Sequence, residues 1–285
     1  MKSGSQPAGL TSTLAVDVGN TQTVIGVFAG DELCDLFRLS SGIPRTGDEL
    51  FPVVERLIAP YRAGLVESGR AVIGSVVPSM TPAWEGLALR LLGREPLIVS
   101  AGAARGLRIE LKDPASLGVD RICNAVAAAA LYRLPAIVVD LGTATTFDVV
   151  LPGPRYVGGA IAPGILTSAE ELFRRAARLA KVELRRPPRA VGRTTEESIQ
   201  SGVFFGAVGQ IDGLVERLRR ELRIRPFVIA TGGLAESVAG DSATIQAVDP
   251  ALTLQGLRLL AERAEIRPRK STPRARTAPR AKRGA

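Results

Sequence analysis

No histidine occurs among the 285 residues of the chain. Its absence excludes Ser-His-Asp and Cys-His nucleophilic catalysis, imidazole general bases and nearly every zinc or non-haem iron site. Cysteine is almost as scarce. Cys34 and Cys123 are too few for a disulfide framework or a cysteine-rich zinc site, and Cys123 stands in an alanine-rich stretch as a small apolar filler does. Aromatic residues make up only 4% of the chain, which leaves little for stacking on nucleic-acid bases. No stretch approaches the ~20 continuous apolar residues of a membrane span, and no apolar run follows Lys2 in the manner of a secretory signal. A cytoplasmic protein with no membrane contact is expected.

What remains is a globular composition, 46% hydrophobic and 23% charged, at a mass of 30.0 kDa that suits one large domain or two small ones. The chemistry left to it runs on carboxylates, Lys and Arg, hydroxyls, backbone N–H groups and a hard oxygen-liking cation, an inventory that suits phosphoryl transfer. The net charge of +9 suggests a nucleic-acid partner until it is located. Eight basic residues and no acid lie between Arg267 and Arg283, so the rest of the chain is nearly neutral. Residues 266–285 read as a disordered basic tail open to nonspecific nucleic-acid contact, and residues 1–12 as a disordered leader.

The chain carries an internal repeat. Thr13-Leu14-Ala15-Val16-Asp17-Val18-Gly19-Asn20-Thr21-Gln22-Thr23-Val24 is a β-rich run ending in Asp, then a Gly turn with hydroxyls, then a second β-rich run. Ala136-Ile137-Val138-Val139-Asp140-Leu141-Gly142-Thr143-Ala144-Thr145-Thr146-Phe147 repeats that grammar about one domain length later. Either copy alone describes a solvated hairpin turn; two copies describe a device. Gly19 and Gly142 let backbone approach an anion, the turn N–H groups form a nest, and Asn20, Thr21, Thr143 and Thr145 add neutral donors. Asp17 and Asp140 are hard-oxygen ligands able to hold Mg²⁺ or a monovalent cation. No G-x-x-x-x-G-K-[ST] is present, which excludes a P-loop.

Elsewhere, residues 70–78 read as a buried strand closed by Pro78, and 80–93, 119–132, 167–180 and 196–220 as helices, the third capped by Thr167 or Ser168. Asp120 and Arg121 fall in the first turn of the alanine-rich helix, where an acid also serves the helix dipole. Thr195 is a candidate N-cap. Val228 to Ala235 is a strand running into the Gly232-Gly233 turn and a helix.

The paired turns resemble the phosphate motifs of the acetate and sugar kinase, heat-shock protein 70 and actin superfamily. Asp17-Val18-Gly19-Asn20-Thr21, Gly74-Ser75-Val76-Val77-Pro78, Leu117-Gly118-Val119-Asp120-Arg121, Asp140 to Thr146, Gly158 to Gly164, Thr195 to Gly202 and Thr231-Gly232-Gly233, in that order, resemble type III pantothenate kinase. The resemblance implies an α/β protein of two duplicated RNase H-like domains, expected at 13–116 and 117–265, with nucleotide in the cleft between them. It implies ATP-dependent phosphorylation of pantothenate to 4′-phosphopantothenate, the first step of coenzyme A synthesis, by a homodimer using Mg²⁺ with ATP and K⁺ or NH₄⁺. Asp120 is then the catalytic base. Asp17, Val18, Gly19, Asn20, Thr21, Gln22, Thr23, Val24, Thr143, Gly232 and Gly233 would bind ATP. Leu111, Gly118, Val119, Asp120, Arg121 and Thr195 would bind pantothenate, and Asp140 the monovalent cation. Leu111 departs from the family, which commonly has Tyr there; an apolar wall survives and a hydroxyl is lost.

A second class stays open: a regulatory accessory factor of the same fold that contacts nucleic acid or a protein partner. A regulator is expected to have lost one of Asp17, Asp120, Arg121 or Asp140, and all four are present. Deletion of 266–285 separates the two, leaving a kinase active and a tail-dependent factor inactive.

Overall fold

The computed structural model describes residues 11–100, 102, 104–176 and 181–265. The expected basic tail and all but the last two residues of the expected leader lie outside these; Ser12 is already buried in the first strand.

Two sheets of like design organise the chain. Strands β1 (Ser12–Val18), β2 (Gln22–Ala29) and β3 (Glu32–Ser40) form an antiparallel meander, and β4 (Arg70–Ser75) and β5 (Leu97–Ile98) continue from β1 in parallel, giving the order β3-β2-β1-β4-β5. The second sheet repeats the plan: β7 (Ala136–Leu141), β8 (Ala144–Leu151) and β9 (Arg155–Pro163) are antiparallel, and β10 (Phe227–Thr231) and β11 (Ala247–Val248) extend from β7 in parallel. At its far edge β6 (Arg108–Ile109) pairs with β9, so a segment expected in the first domain joins the second sheet.

Helices fill the faces in layers. Helices α1 (Gly47–Ile58), α2 (Arg62–Ser68) and α3 (Thr81–Leu92) cover the outer face of the first sheet, where Leu14, Val16, Ile25 and Ile73 meet Leu50, Val54, Leu65 and Trp84. Its other face, with Ala15, Phe28 and Val72, packs on α4 (Val119–Leu131) and α8 (Leu252–Glu265). The same two helices pack on the second sheet through Ala127, Ala128, Val138, Val150 and Leu252. Thus α4 and α8 form a layer between the sheets, although α8 comes from the far end of the described chain. Small residues make this possible: a Cβ on Gly256 of α8 would overlap the Cys123 carbonyl of α4, and one on Gly74 of β4 would lie 2.9 Å from Leu257 of α8. The far face of the second sheet, with Phe147 and Val149, buries Phe204, Val208, Ile211 and Val215 of α6 (Thr195–Leu222) and Val238 of α7 (Ala235–Ala239).

One expected boundary moves. The helix expected at 167–180 is α5 (Ile165–Arg175), with Gly164 at its N-cap and no side-chain cap. The Thr167 hydroxyl donates instead to the Thr143 carbonyl at 2.7 Å. No helix among the described residues is long and apolar enough to cross a membrane.

Candidate active site

Each acidic turn forms where a central strand runs out toward its antiparallel neighbour, with Asp17 and Asp140 the penultimate residues of β1 and β7. In the first turn the Gly19 N–H donates to the Gln22 carbonyl at 3.1 Å, and a Cβ on Gly19 would stand 2.8 Å from that oxygen. In the second, the Gly142 N–H donates to the Ala144 carbonyl at 3.1 Å, while the Gly164 N–H and the Thr167 hydroxyl tie down the Thr143 carbonyl. Asn20, Thr21, Gln22, Gly142 and Thr143 are exposed. Thr21 Oγ1 and Thr143 Oγ1 hydrogen-bond at 2.8 Å, so turns from the two sheets meet tip to tip.

Beside each aspartate runs a parallel strand, with Gly74 paired to Asp17 and Thr231 to Asp140. Gly232 has φ of +90°, and a Cβ there would lie 2.6 Å from Asp140 Oδ1, so both conformation and space demand glycine. Gly233 faces open space, as a surface that takes a flat ligand requires.

Between the turns stands the start of α4. Asp120 lies in its first turn, with Oδ1 accepting the Arg121 backbone N–H at 2.8 Å; a Cβ on Gly118 would come within 2.5 Å of that oxygen. One helical turn on, buried Asn124 donates to Asp140 Oδ2 at 2.9 Å and accepts the Thr253 hydroxyl from α8 at 2.7 Å. The central layer thereby fixes both Asp120 and Asp140 relative to the sheets. The Arg121 Nε donates to Asp148 Oδ1 at 2.7 Å, and Tyr156 and Thr146 donate to the same fully buried carboxylate.

The electrostatics follow from four carboxylates near one point. Burial, with Asp120 and Asp140 alongside, pushes Asp17 up to about 8. Burial pushes Asp140 up to about 6, with Asn124 opposing and Asp120 and Asp148 adding to it. Asp148 also rises to about 6 through burial, opposed by Arg121 and Tyr156. No described donor bonds the Asp17 carboxylate, and no three described Asp, Glu, Cys or His side chains gather closely enough to hold a metal by themselves. A cation here needs further ligands from phosphate oxygens or water, which suits an ion that arrives with a nucleotide.

Unfolded aspartates ionise near 4, so between about pH 4 and 8 the folded protein keeps protons that the unfolded chain releases, and its stability falls as pH rises through that window. Above about pH 7, where Asp140 and Asp148 are largely ionised, Asp17 dominates the titration of the three, and its loss is at most ~1.4 kcal/mol per pH unit, about 2–4 °C in Tm. The ligand-free protein is therefore expected to melt at lower temperature near pH 8 than near pH 6, and Asp17→Asn to flatten that slope. A Tm that climbs over the same range contradicts it.

The expected site residues divide. Asp17, Gly19, Asn20, Thr21, Gly142 and Thr143 frame the turns, with Asp120, Arg121, Asp140 and Gly232 beside them. Val18 is buried and its carbonyl accepts from the Val76 N–H, Thr23 is buried on Ser41 at 2.8 Å, and Val24 packs in the core, so their side chains hold the turn from behind. Leu111 packs in the same core. Thr194, not Thr195, caps α6, accepting the Glu197 N–H at 3.1 Å. Thr195 is exposed and lines a separate cavity of about 590 Å³ with Pro163, Ile165, Leu172 and Ile199. Sequence reasoning gave no role to Asn124 or Asp148, and gave Thr167 only that of a candidate helix cap. A charged residue at an inward-facing strand position was the one signal available for Asp148.

The fold is shared with solved structures of a ROK hexokinase and of MreB. A ROK hexokinase from Thermus thermophilus superposes with a TM-score of 0.52 at 14% identity, over 90% of this chain and 99% of that one. A Campylobacter jejuni protein of the Baf family of transcriptional activators superposes at 0.55, 18% identity, 89% and 99%. Both likenesses concern the fold alone. Sequence is more specific: the family model of type III pantothenate kinase matches residues 13–217. The type III pantothenate kinase of Moorella thermoacetica is 44% identical over 251 residues, 88% of this chain and 98% of that one. The chain belongs to the type III pantothenate kinase family.

Proposed function

We propose that the chain transfers the γ-phosphoryl group of ATP to the primary hydroxyl of pantothenate, in the cytoplasm, as the first step of coenzyme A synthesis. The observation that carries this reading is the meeting of the two acidic turns, Thr21 on Thr143, at the mouth of the helix that presents Asp120 and Arg121. The two sheets, alike in strand order and direction, are read as duplicated RNase H-like halves, with the triphosphate held across the turns between them.

Position supports each role. The Asn20, Thr21 and Thr143 side chains and the turn N–H groups hold phosphate oxygens, and Gly232 and Gly233 leave room for the adenosine. Asp120 accepts the proton of the attacking hydroxyl, and Arg121 holds the pantothenate carboxylate. Gly118 and Val119 supply the adjoining backbone and Leu111 an apolar wall. Asp17 would face Mg²⁺ bound with ATP, which would offset phosphate charge, and Asp140, whose Oδ1 accepts no hydrogen bond among the described residues, would hold K⁺ or NH₄⁺. Thr195 serves the pocket of a partner subunit in a homodimer. The adjoining cavity and the exposed Ile161, Leu166 and Leu172 support that assembly.

The test is ADP release with MgATP, with pantothenate present or omitted and K⁺ exchanged for Na⁺. ADP is expected to depend on pantothenate and to fall sharply in Na⁺. ADP formed at equal rates without pantothenate overturns the proposal.

A further inference from the structure

Asp148 is a buried carboxylate to which the proposed chemistry assigns no task. It sits in β8 between Phe147 and Val149, which face α6, so it points the opposite way, toward α4. It is fully buried among three donors: Arg121 Nε and the Tyr156 hydroxyl on Oδ1, both at 2.7 Å, and Thr146 Oγ1 on Oδ2 at 3.3 Å. A charge so placed is expensive to bury and is tolerated only when fully partnered.

The manner of the pairing is informative. Arg121 spends its inner nitrogen, Nε, on Asp148, and its guanidinium carbon stands 5.9 Å from the Tyr156 ring centroid. Its two terminal amino groups make no hydrogen bond among the described residues, and its side chain keeps 16% of its surface open. A guanidinium anchored at Nε cannot turn its plane, so its free edge keeps one direction. Those unspent N–H groups are the pair that matches a planar carboxylate in a fork.

We propose that Asp148, backed by Tyr156, is a positioning residue that sets the Arg121 guanidinium so that its free edge faces the carboxylate of the acid substrate. This rests on the reading of Arg121 given above. Asp148 touches no substrate; it acts by removing the rotational freedom that Arg121 would otherwise lose on binding.

Steady-state kinetics on the full chain, varying each substrate in turn, test this with Asp148→Asn, Tyr156→Phe, Arg121→Ala and the double variant Asp148→Asn/Arg121→Ala. Asp148→Asn is expected to raise KM for pantothenate roughly 10- to 100-fold, and Tyr156→Phe several-fold, both with KM for ATP unchanged. The double variant is expected to be no worse than Arg121→Ala, because positioning is worth nothing once the positioned group is gone. A residue that only held the fold would move both KM values together and lower Tm. If Asp148→Asn does not fold, Tyr156→Phe, which keeps the ring and loses only its hydroxyl, carries the test. A pantothenate KM unchanged in the folded Asp148 or Tyr156 variant while Arg121→Ala raises it, or effects that multiply in the double variant, overturn the inference. A pantothenate KM unchanged in Arg121→Ala overturns the reading of Arg121 itself, and the inference with it.

Discussion

Replacing Asp120 by asparagine is expected to lower kcat by roughly 10²- to 10⁴-fold, the usual share of general base catalysis. The substitution keeps shape: an Asn side-chain oxygen still accepts the Arg121 N–H that Asp120 Oδ1 accepts at 2.8 Å. What disappears, on the proposed reading, is the group that would take the hydroxyl proton as a loose phosphoryl transition state forms. The fold is expected to persist, because Asp120 is a source of repulsion as well as the proposed base. Its charge helps to raise Asp17, Asp140 and Asp148, so its loss eases all three. Comparing kcat with Tm checks this: near-wild-type turnover refutes the base, and a collapse of Tm would mean that the lost rate reports damage to the fold.

The second large effect is expected from Gly256→Ala. In α8 this residue faces the Cys123 carbonyl of α4, and an added Cβ would overlap backbone that cannot rotate aside. Overpacking of this kind costs roughly 1–3 kcal/mol or more, hence about 2–12 °C in Tm at 2–4 °C per kcal/mol. Since α4 carries Asp120 at its start, separating the two helices also displaces the proposed base, and kcat is expected to fall with Tm. Gly86→Ala supplies the control. Gly86 lies inside α3, where an added methyl meets nothing within 4 Å, so the same substitution is expected to be neutral or to stabilise by about 0.5–1 kcal/mol. Equal Tm values for the two variants would contradict the close packing of the central layer.

How far the sequence disclosed these features depends on the range of the interaction. The two Asp-Gly turns, the strand before Pro78, the helix after Gly118 and the strand into Gly232-Gly233 are local patterns: alternation or alanine-rich periodicity broken by glycine and proline, each legible within about fifteen residues. Asp148 was not legible, since two of its three partners stand 27 and 8 positions away and a lone acid in a β-rich run does not name them. Thr167 illustrates competition between local and distant partners. Hydroxyls followed by Glu170 and Glu171 resemble a helix cap, yet the Thr143 carbonyl, 24 residues back, claims the hydroxyl. The placement of α8 was out of reach for the same reason, because its contacts are to β1, β2, β4 and α4, all far earlier in the chain.

The most direct measurement is a crystal structure of the protein with a non-hydrolysable ATP analogue, Mg²⁺ and pantothenate. The account requires phosphate oxygens bound by the backbone and hydroxyls of both turns, at 19–21 and 142–143. It also requires an Asp120 oxygen within about 2.6–3.2 Å of the primary hydroxyl of pantothenate. Phosphates bound away from the turns, or a hydroxyl directed at some other side chain, would contradict it.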